Sequence, residues 1–392
     1  MDLRRALRGK TADYLNSLSL DELFLRFKIT RVSRIDGLDC IGVPVYSVCR
    51  PEAVAVSVNA GKGLDARMAR AGAIAEGIEF STFENPVGEF FIEPGLMNPL
   101  EWFPFAKDST WTDETPIATE DMIVWGNGCP ITIPSDLVWL IRRAKYDGPT
   151  HFQMTSNGQA IGASFEDAFL QGLYECVERD QTVLRMCSES ILKIWPPRVE
   201  VPENLQEICT KLRHSSLKIF LFHCTVDIQI PCYWAVLADP YGGCGTFGGW
   251  GCDLNPNHAA ERAILEAIQS RAVYISGARD DIERRNFEAL KARDPSELIR
   301  ELEAFPVLGQ VPEGGYQYES LEEELSHARE LLGPWAEQVC YKHIDLGELH
   351  AVKVIILGME QPITKHWKSM RWHKLVASYS SDLVSTGVSS SV

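Results

Sequence analysis

The sequence predicts a mixed α/β fold of the α+β kind, and three observations predict it. A unit of strand, glycine-bearing turn and helix occurs three times: NAGKG leads into DARMARAGAIAEGIE, SNGQAIG into SFEDAFLQGLYECVERD, and GGWGCD into NPNHAAERAILEAIQSR. The stretches between these helices hold several strand-like runs each, so mixed sheets are expected rather than one doubly wound parallel sheet. Of the 392 residues 45% are hydrophobic and 23% charged, a globular balance that supports a large core. The unit recurs at irregular spacing, which excludes a solenoid.

Each element has its own reason. Residues 1–30 read as a helical segment; MDLRRALRGKTADYLNSL is amphipathic, with a basic start but no apolar h-region, hence no signal peptide. IGVPVYSVCRP and AVAVSVNA are β-rich. A helix over 65–83 follows, with Asp65 as N-cap. Residues 84–150, rich in Pro, Gly and Trp, carry short strands such as MIVW and TIPSDLVWLI and pack over the core. A second helix spans about 164–188, PPRVEVPENL is a surface connection, and a short helix lies near 203–212. SLKIFLFHCTV and PCYWAVLADP read as paired strands before a third long helix over about 257–278. Residues 281–338 are charged and helical, broken at PVLGQVPEGGYQ, and HAVKVIILG is a buried strand. KHWKSMRWHKL is basic and aromatic, a surface helix or a binder of acidic ligands. The expected organisation is 1–30 helical, 31–380 one catalytic domain, and 381–392 a tail of disordered composition.

Composition excludes some classes of function. The 38 Lys+Arg against 54 Asp+Glu give a formal charge of −16, which argues against nucleic acid or an anionic membrane as partner. No stretch of 18 apolar residues is present to span a membrane. The 11 cysteines lack a CxxC pair and read as free thiols of a reducing, cytoplasmic compartment. Cys244 and Cys252 flank a glycine-rich loop without zinc spacing.

The chemistry-bearing residues lie on the three helices. Glu76 and Glu79 are i, i+3 partners, as are Glu175 and Glu178; Arg262 and Glu266 are i, i+4. Such spacing aims two heads at one point. A glutamate pair on an ordinary helix is a solvated face, but AGAIAEGIEFSTF and AFLQGLYECVE are nearly apolar, and a carboxylate on a buried helix requires a partner. Converging carboxylates suit Mg2+, and glycines at helix N-termini suit phosphate. The combination points to an ATP–Mg2+ site without a Walker motif. Arg262 and Glu266 also fit a simple salt bridge, and Lys62 an exposed turn.

Four blocks in order, GLDCIGVPVYSVCRP, VNAGKGLDARMARAGAIAEGIE, SNGQAIGASFEDAFLQGLYECVERD and GCDLNPNHAAERAILEAIQSRAVYISGARDD, resemble the YcaO family of ATP-dependent enzymes that activate peptide backbone amides. The resemblance implies YcaO-like mixed sheets with three carboxylate-bearing helices converging on a nucleotide site. It implies that Glu76, Glu79, Glu175 and Glu178 coordinate Mg2+ at the ATP phosphates, with Arg262 and Glu266 contacting nucleotide. Lys62, Asp167 and Arg179 would stand near nucleotide or phosphate, and Gln269 and Arg271 fit the pattern without a firm role. Gly72, Phe80, Ala160 and Ala163 depart from the family pattern, and the chain ends in SSSV rather than a proline-rich tail.

The opening blocks resemble the branch paired with a TfuA partner, which implies thioamide installation in a ribosomally made precursor peptide. An azoline-forming cyclodehydratase acting on Cys, Ser or Thr, and a non-catalytic nucleotide- or peptide-binding scaffold, are the alternatives. A homodimer and a separate leader-binding or TfuA-like partner are also implied.

Overall fold

The computed structural model describes residues 3–84, 91–94, 115–140, 151–192, 196–202, 205–241, 245–282, 294–312 and 315–359, with Ser109 and Thr112. The basic aromatic stretch and the tail lie outside the described residues. In chain order the elements are α1 Leu3–Ser17, α2 Leu20–Phe27, β1 Arg31–Arg34, β2 Val45–Cys49, β3 Val58–Lys62, α3 Ala66–Glu84, β4 Phe91–Pro94, β5 Pro116–Val124, β6 Pro130–Pro134 and α4 Ser135–Val138. Then come β7 Gln159–Gly162, α5 Phe165–Leu192, β8 Arg198–Glu200, α6 Gln206–His214, β9 Lys218–His223, β10 Cys232–Ala238, β11 Thr246–Cys252 and α7 Pro256–Ser276. The last are α8 Pro295–Ala304, β12 Val307–Gln310, α9 Leu321–Leu332, β13 Val339–Asp345 and β14 His350–Ile356.

The strands form three sheets, ordered β1-β2-β3, β11-β10-β9-β8-β12 and β4-β5-β13-β14-β7, with β6 also paired to β5. Pairing is antiparallel throughout the described ladders except for β8 with β12. This is the mixed α/β class expected. Each sheet carries one of the long helices: α3 lies on β2 and β3, α5 on β7 and β14, and α7 on β10 and β11. Asp65 caps α3 as expected, its Oδ1 accepting from Met68 N at 2.8 Å. Ser19 and Glu22 form a reciprocal capping box at α2.

Two segments differ from expectation. TIPSDLVWLI is not one strand: β6 stops at Pro134, which has no N–H for a ladder, and α4 follows. PPRVEVPENL is more than a surface connection, because Arg198–Glu200 forms β8, paired to both β9 and β12.

The glycines expected to cradle phosphate do other work. NAGKG and GGWGC are largely strand, and Gly61, Gly63, Gly249 and Gly251 face helix backbones. A Cβ on Gly61 would lie 1.9 Å from Ala73 N and 2.4 Å from Ala69 O; one on Gly249 would lie 2.2 Å from Ala267 N and 2.3 Å from Ala263 O. Only glycine lets α3 reach β3, and α7 reach β11, at this range. The same contacts carry Glu76 in mid-α3 and Glu266 in mid-α7 up to β3, where they meet Ala60 N and Lys62.

Helix α1 ties the three long helices together. Arg4 binds Asp167 on α5 at 2.6 Å, Arg5 binds Glu261 on α7 at 3.1 Å, and Asn16 Oδ1 accepts from Arg70 on α3 at 2.7 Å. Arg8 reaches Asp253, just before α7, at 3.5 Å.

Candidate active site

Lys62 ends β3, and its Nζ contacts Glu266 Oε2 on α7 at 3.1 Å. Arg179 on α5 lies 3.8 Å from Glu175 and 3.6 Å from Glu178, with its guanidinium over the Trp250 ring of β11 at 5.9 Å. Glu76 on α3 accepts from Ala60 N of β3 at 3.1 Å. The side chains of Lys62, Glu175, Arg179 and Glu266 are each about a quarter exposed, while that of Glu178 is 4% exposed. The group is therefore a recess open to solutes, with Glu178 at its base.

Electrostatics tie the helices to one another. Burial raises Glu79 well above the usual carboxylate range, and the charges of Glu175 and Glu76 add to it. Burial also raises Glu76, against the pull of Lys62, and Glu175, against Arg179 and Lys353. Glu178 is pushed up to about 7, burial outweighing Arg179 while Glu266 adds repulsion. Glu266 goes the other way: burial would raise it, but Lys62 and Arg179 together hold it below the usual value. Arg262 bears on both Glu175 and Glu178, so its charge belongs to the same field. Electrostatic coupling thus runs among the i, i+3 pairs on α3 and α5 and the Arg262–Glu266 pair on α7.

Three other expected residues have protein partners of their own. Asp167, with 1% of its side chain exposed, is taken by Arg4, and it sits eight residues before Glu175, about 12 Å along a helix. Gln269 donates to Ala60 O at 2.9 Å and joins α7 to the edge of β3. Arg271 is buried between Asp39, at 3.1 Å, and Asp239, at 3.3 Å. Arg271 is thus engaged by other carboxylates, while Gln269 bonds the same residue, Ala60, whose N–H donates to Glu76.

Sequence reasoning missed Lys353 on β14. It is 1% exposed, and its Nζ donates to Thr155 O at 2.7 Å and Asn157 O at 2.8 Å. Burial lowers its pKa to about 8, against the charges of Cys176, Glu175 and Glu79. The available signal was one lysine inside the apolar run HAVKVIILG. It missed Arg8 too, whose guanidinium feels the charge of Arg262.

Oxygen donors of this number and hardness fit Mg2+, and their raised affinity for protons reflects burial first and neighbouring carboxylates second, both of which a divalent cation offsets. Among the described residues no three carboxylate, histidine or cysteine side chains are already drawn together around one point. Lys62 and Arg179 hold Glu266 and Glu175 instead.

A family model described as YcaO cyclodehydratase, ATP- and Mg2+-binding, matches residues 60–360. A protein of Rhizobium leguminosarum bv. trifolii in the tfuA 3′ region is 29% identical over 363 residues, 86% of this chain and 85% of its own length. Among solved structures, YcaO from Methanopyrus kandleri bound with AMPPCP and Mg2+ superposes with a TM-score of 0.68 at 21% identity, covering 91% of this chain and 92% of that one. A heterocyclase in complex with substrate and cofactor superposes with a TM-score of 0.74 at 16% identity, over 95% of this chain and 55% of that chain.

Proposed function

This chain belongs to the YcaO family of ATP- and Mg2+-binding proteins, and we propose that it activates a backbone amide of a ribosomally made peptide for replacement of oxygen by sulfur. The observation that carries the reading is the recess where Glu76, Glu79, Glu175 and Glu178 share one field with Arg179, Arg262 and the Lys62–Glu266 pair. An amide carbonyl is a poor electrophile because its oxygen leaves badly. ATP with Mg2+ supplies the phosphoryl group that makes this oxygen a leaving group.

The protein's part is positioning and charge balance. The two glutamate pairs provide the donors for Mg2+. Arg179 and Lys62 exchange their carboxylates for phosphate oxygens, and Arg262 supports them from α7. Lys353 fixes the Thr155–Asn157 backbone beneath the site, and Trp250 backs the guanidinium of Arg179.

The tfuA-region relative favours sulfide as the nucleophile, and with it a TfuA-like partner. The second reading is azoline formation from a Cys, Ser or Thr of the peptide, favoured by the cyclodehydratase description of the family. No helix among the described residues is long and apolar enough to cross a membrane, and the reading includes a cytoplasmic homodimer, which light scattering on the purified protein checks.

The test uses purified protein, Mg-ATP, a candidate precursor peptide and sodium sulfide, with the product weighed by mass spectrometry. Exchange of one oxygen for sulfur is expected. Loss of one water establishes the azoline reading instead. Absence of both ATP consumption and Mg2+-dependent nucleotide binding leaves a scaffold subunit and removes both enzyme readings.

A further inference from the structure

One turn of α5 beyond Glu178, a small cavity of ≈ 10 Å³ opens between Thr182, Arg185 and Met186 on one side and Cys224, Trp234 and Trp250 on the other. That is the room of about one water-sized solute. It adjoins the candidate active site, because Trp250 is also the ring beneath Arg179. Among the described residues, two donors on its wall have no protein acceptor. Thr182 is 7% exposed and its Oγ1 is unpaired; Arg185 Nε is buried and unpaired, while its Nη2 is anchored to Thr225 O at 2.7 Å. The rest of the wall is Pro196 and soft groups: a thiol, a thioether and two indole rings. Burial pushes the Cys224 thiol up to about 12, so it is neutral and does not repel an anion.

We propose that this cavity is the docking site for hydrosulfide, the nucleophile that replaces the amide oxygen; the inference rests on the thioamide reading above. The size admits one heavy atom. The unpaired guanidinium N–H and hydroxyl ask for an acceptor of negative charge, and the thioether, thiol and indoles suit a polarisable sulfur better than a hard, strongly hydrated anion. The reaction balances without oxidant or reductant. A C–S bond forms, the C–O bond to the transferred phosphoryl breaks, and the amide oxygen leaves in phosphate. The proton of HS− ends on that phosphate, so amide, ATP and HS− give thioamide, ADP and hydrogen phosphate. Cys224 supplies neither sulfur nor charge. Arg185 and Thr182 bind the nucleophile, so they should govern its affinity and not that of ATP.

The experiment measures thioamide formation by the full chain against sodium sulfide concentration, at saturating Mg-ATP and peptide. In Arg185→Met the KM for sulfide should rise about tenfold or more, and in the isosteric Thr182→Val about threefold, as expected for losing a charged and a neutral hydrogen bond. The KM for ATP, and kcat at saturating sulfide, should hold, and Arg185→Lys should recover part of the loss. Independently, sulfide added without ATP or peptide should quench the fluorescence of Trp234 and Trp250 saturably, less so in Arg185→Met. An unchanged KM for sulfide in a folded Thr182→Val and a folded Arg185→Met overturns the docking site while thioamide formation itself stands. A peptide that loses water and gains no sulfur in wild type overturns the thioamide reading and this inference with it. Circular dichroism separates a binding defect from misfolding; if Arg185→Met does not fold, Thr182→Val decides alone.

Discussion

Glu178 shows how much one carboxyl can report. Its folded pKa of about 7 lies above the ordinary carboxylate value, as do those of Glu76, Glu79 and Glu175 in direction. A raised acid favours the folded state while protonated, so this contribution is full below about pH 4.5 and is lost as the pH rises through about 7. Mg2+ binds only the charged form and competes with the protons. The gain in melting temperature on adding Mg2+ with nucleotide should therefore be larger at pH 8 than at pH 6; an equal gain at both would place the cation elsewhere. Glu76→Gln and Glu175→Gln should each lower ATP turnover by about a hundredfold or more, the scale of losing one electrostatic group from a pre-organised site, with circular dichroism unchanged. Wild-type rates in both would sink the assignment. The glutamates were legible because polar heads on nearly apolar helices demand partners. Asp167, Gln269 and Arg271 have the same sequence appearance, but their partners Arg4, Ala60 and Asp39 are 163, 209 and 232 residues away, and no local pattern encodes such pairings.

At the scale of elements, the long helices are set by glycine. Gly249→Ala would drive a methyl into the backbone of α7 at 2.2–2.3 Å, and should cost about 3 kcal/mol or more in chemical denaturation, the upper end for overpacking. Gly309→Ala on β12, with nothing within 4 Å of its new Cβ, serves as the control and should be near neutral. Here the sequence was suggestive but ambiguous. A glycine beside a helix start serves phosphate binding and close packing equally well on paper, and only the direction in which each missing Cβ points decides between them.

At the scale of the molecule, the number and rough limits of the long helices were readable from 3.6-residue periodicity, and the principal strands from their apolar runs. The strand order was not, because β5 pairs β13 and β7 pairs β14 across an interval that holds the whole second sheet. Nor was the placement of α1, whose arginines look like an ordinary basic surface. Arg4→Ala removes the cation shared by Asp167, at 2.6 Å, and Glu324, at 3.7 Å. Stranding two buried carboxylates should destabilise the protein by about 3–5 kcal/mol, read as a fall in the denaturation midpoint; a change under about 0.5 kcal/mol would mean α1 is not seated as described.

The seat of α1 also sets a timetable. Its partners lie 163 residues later for Arg4 and 256 later for Arg5. At the ribosome's roughly 5–20 residues per second, the nascent first helix waits about 10–50 s before Glu261 exists to receive it. Glu324 arrives later still. Helix α1 is thus fastened long after it is made, and a polypeptide interrupted before α9 can tie α1 to the three long helices but lacks Glu324, the second carboxylate on Arg4.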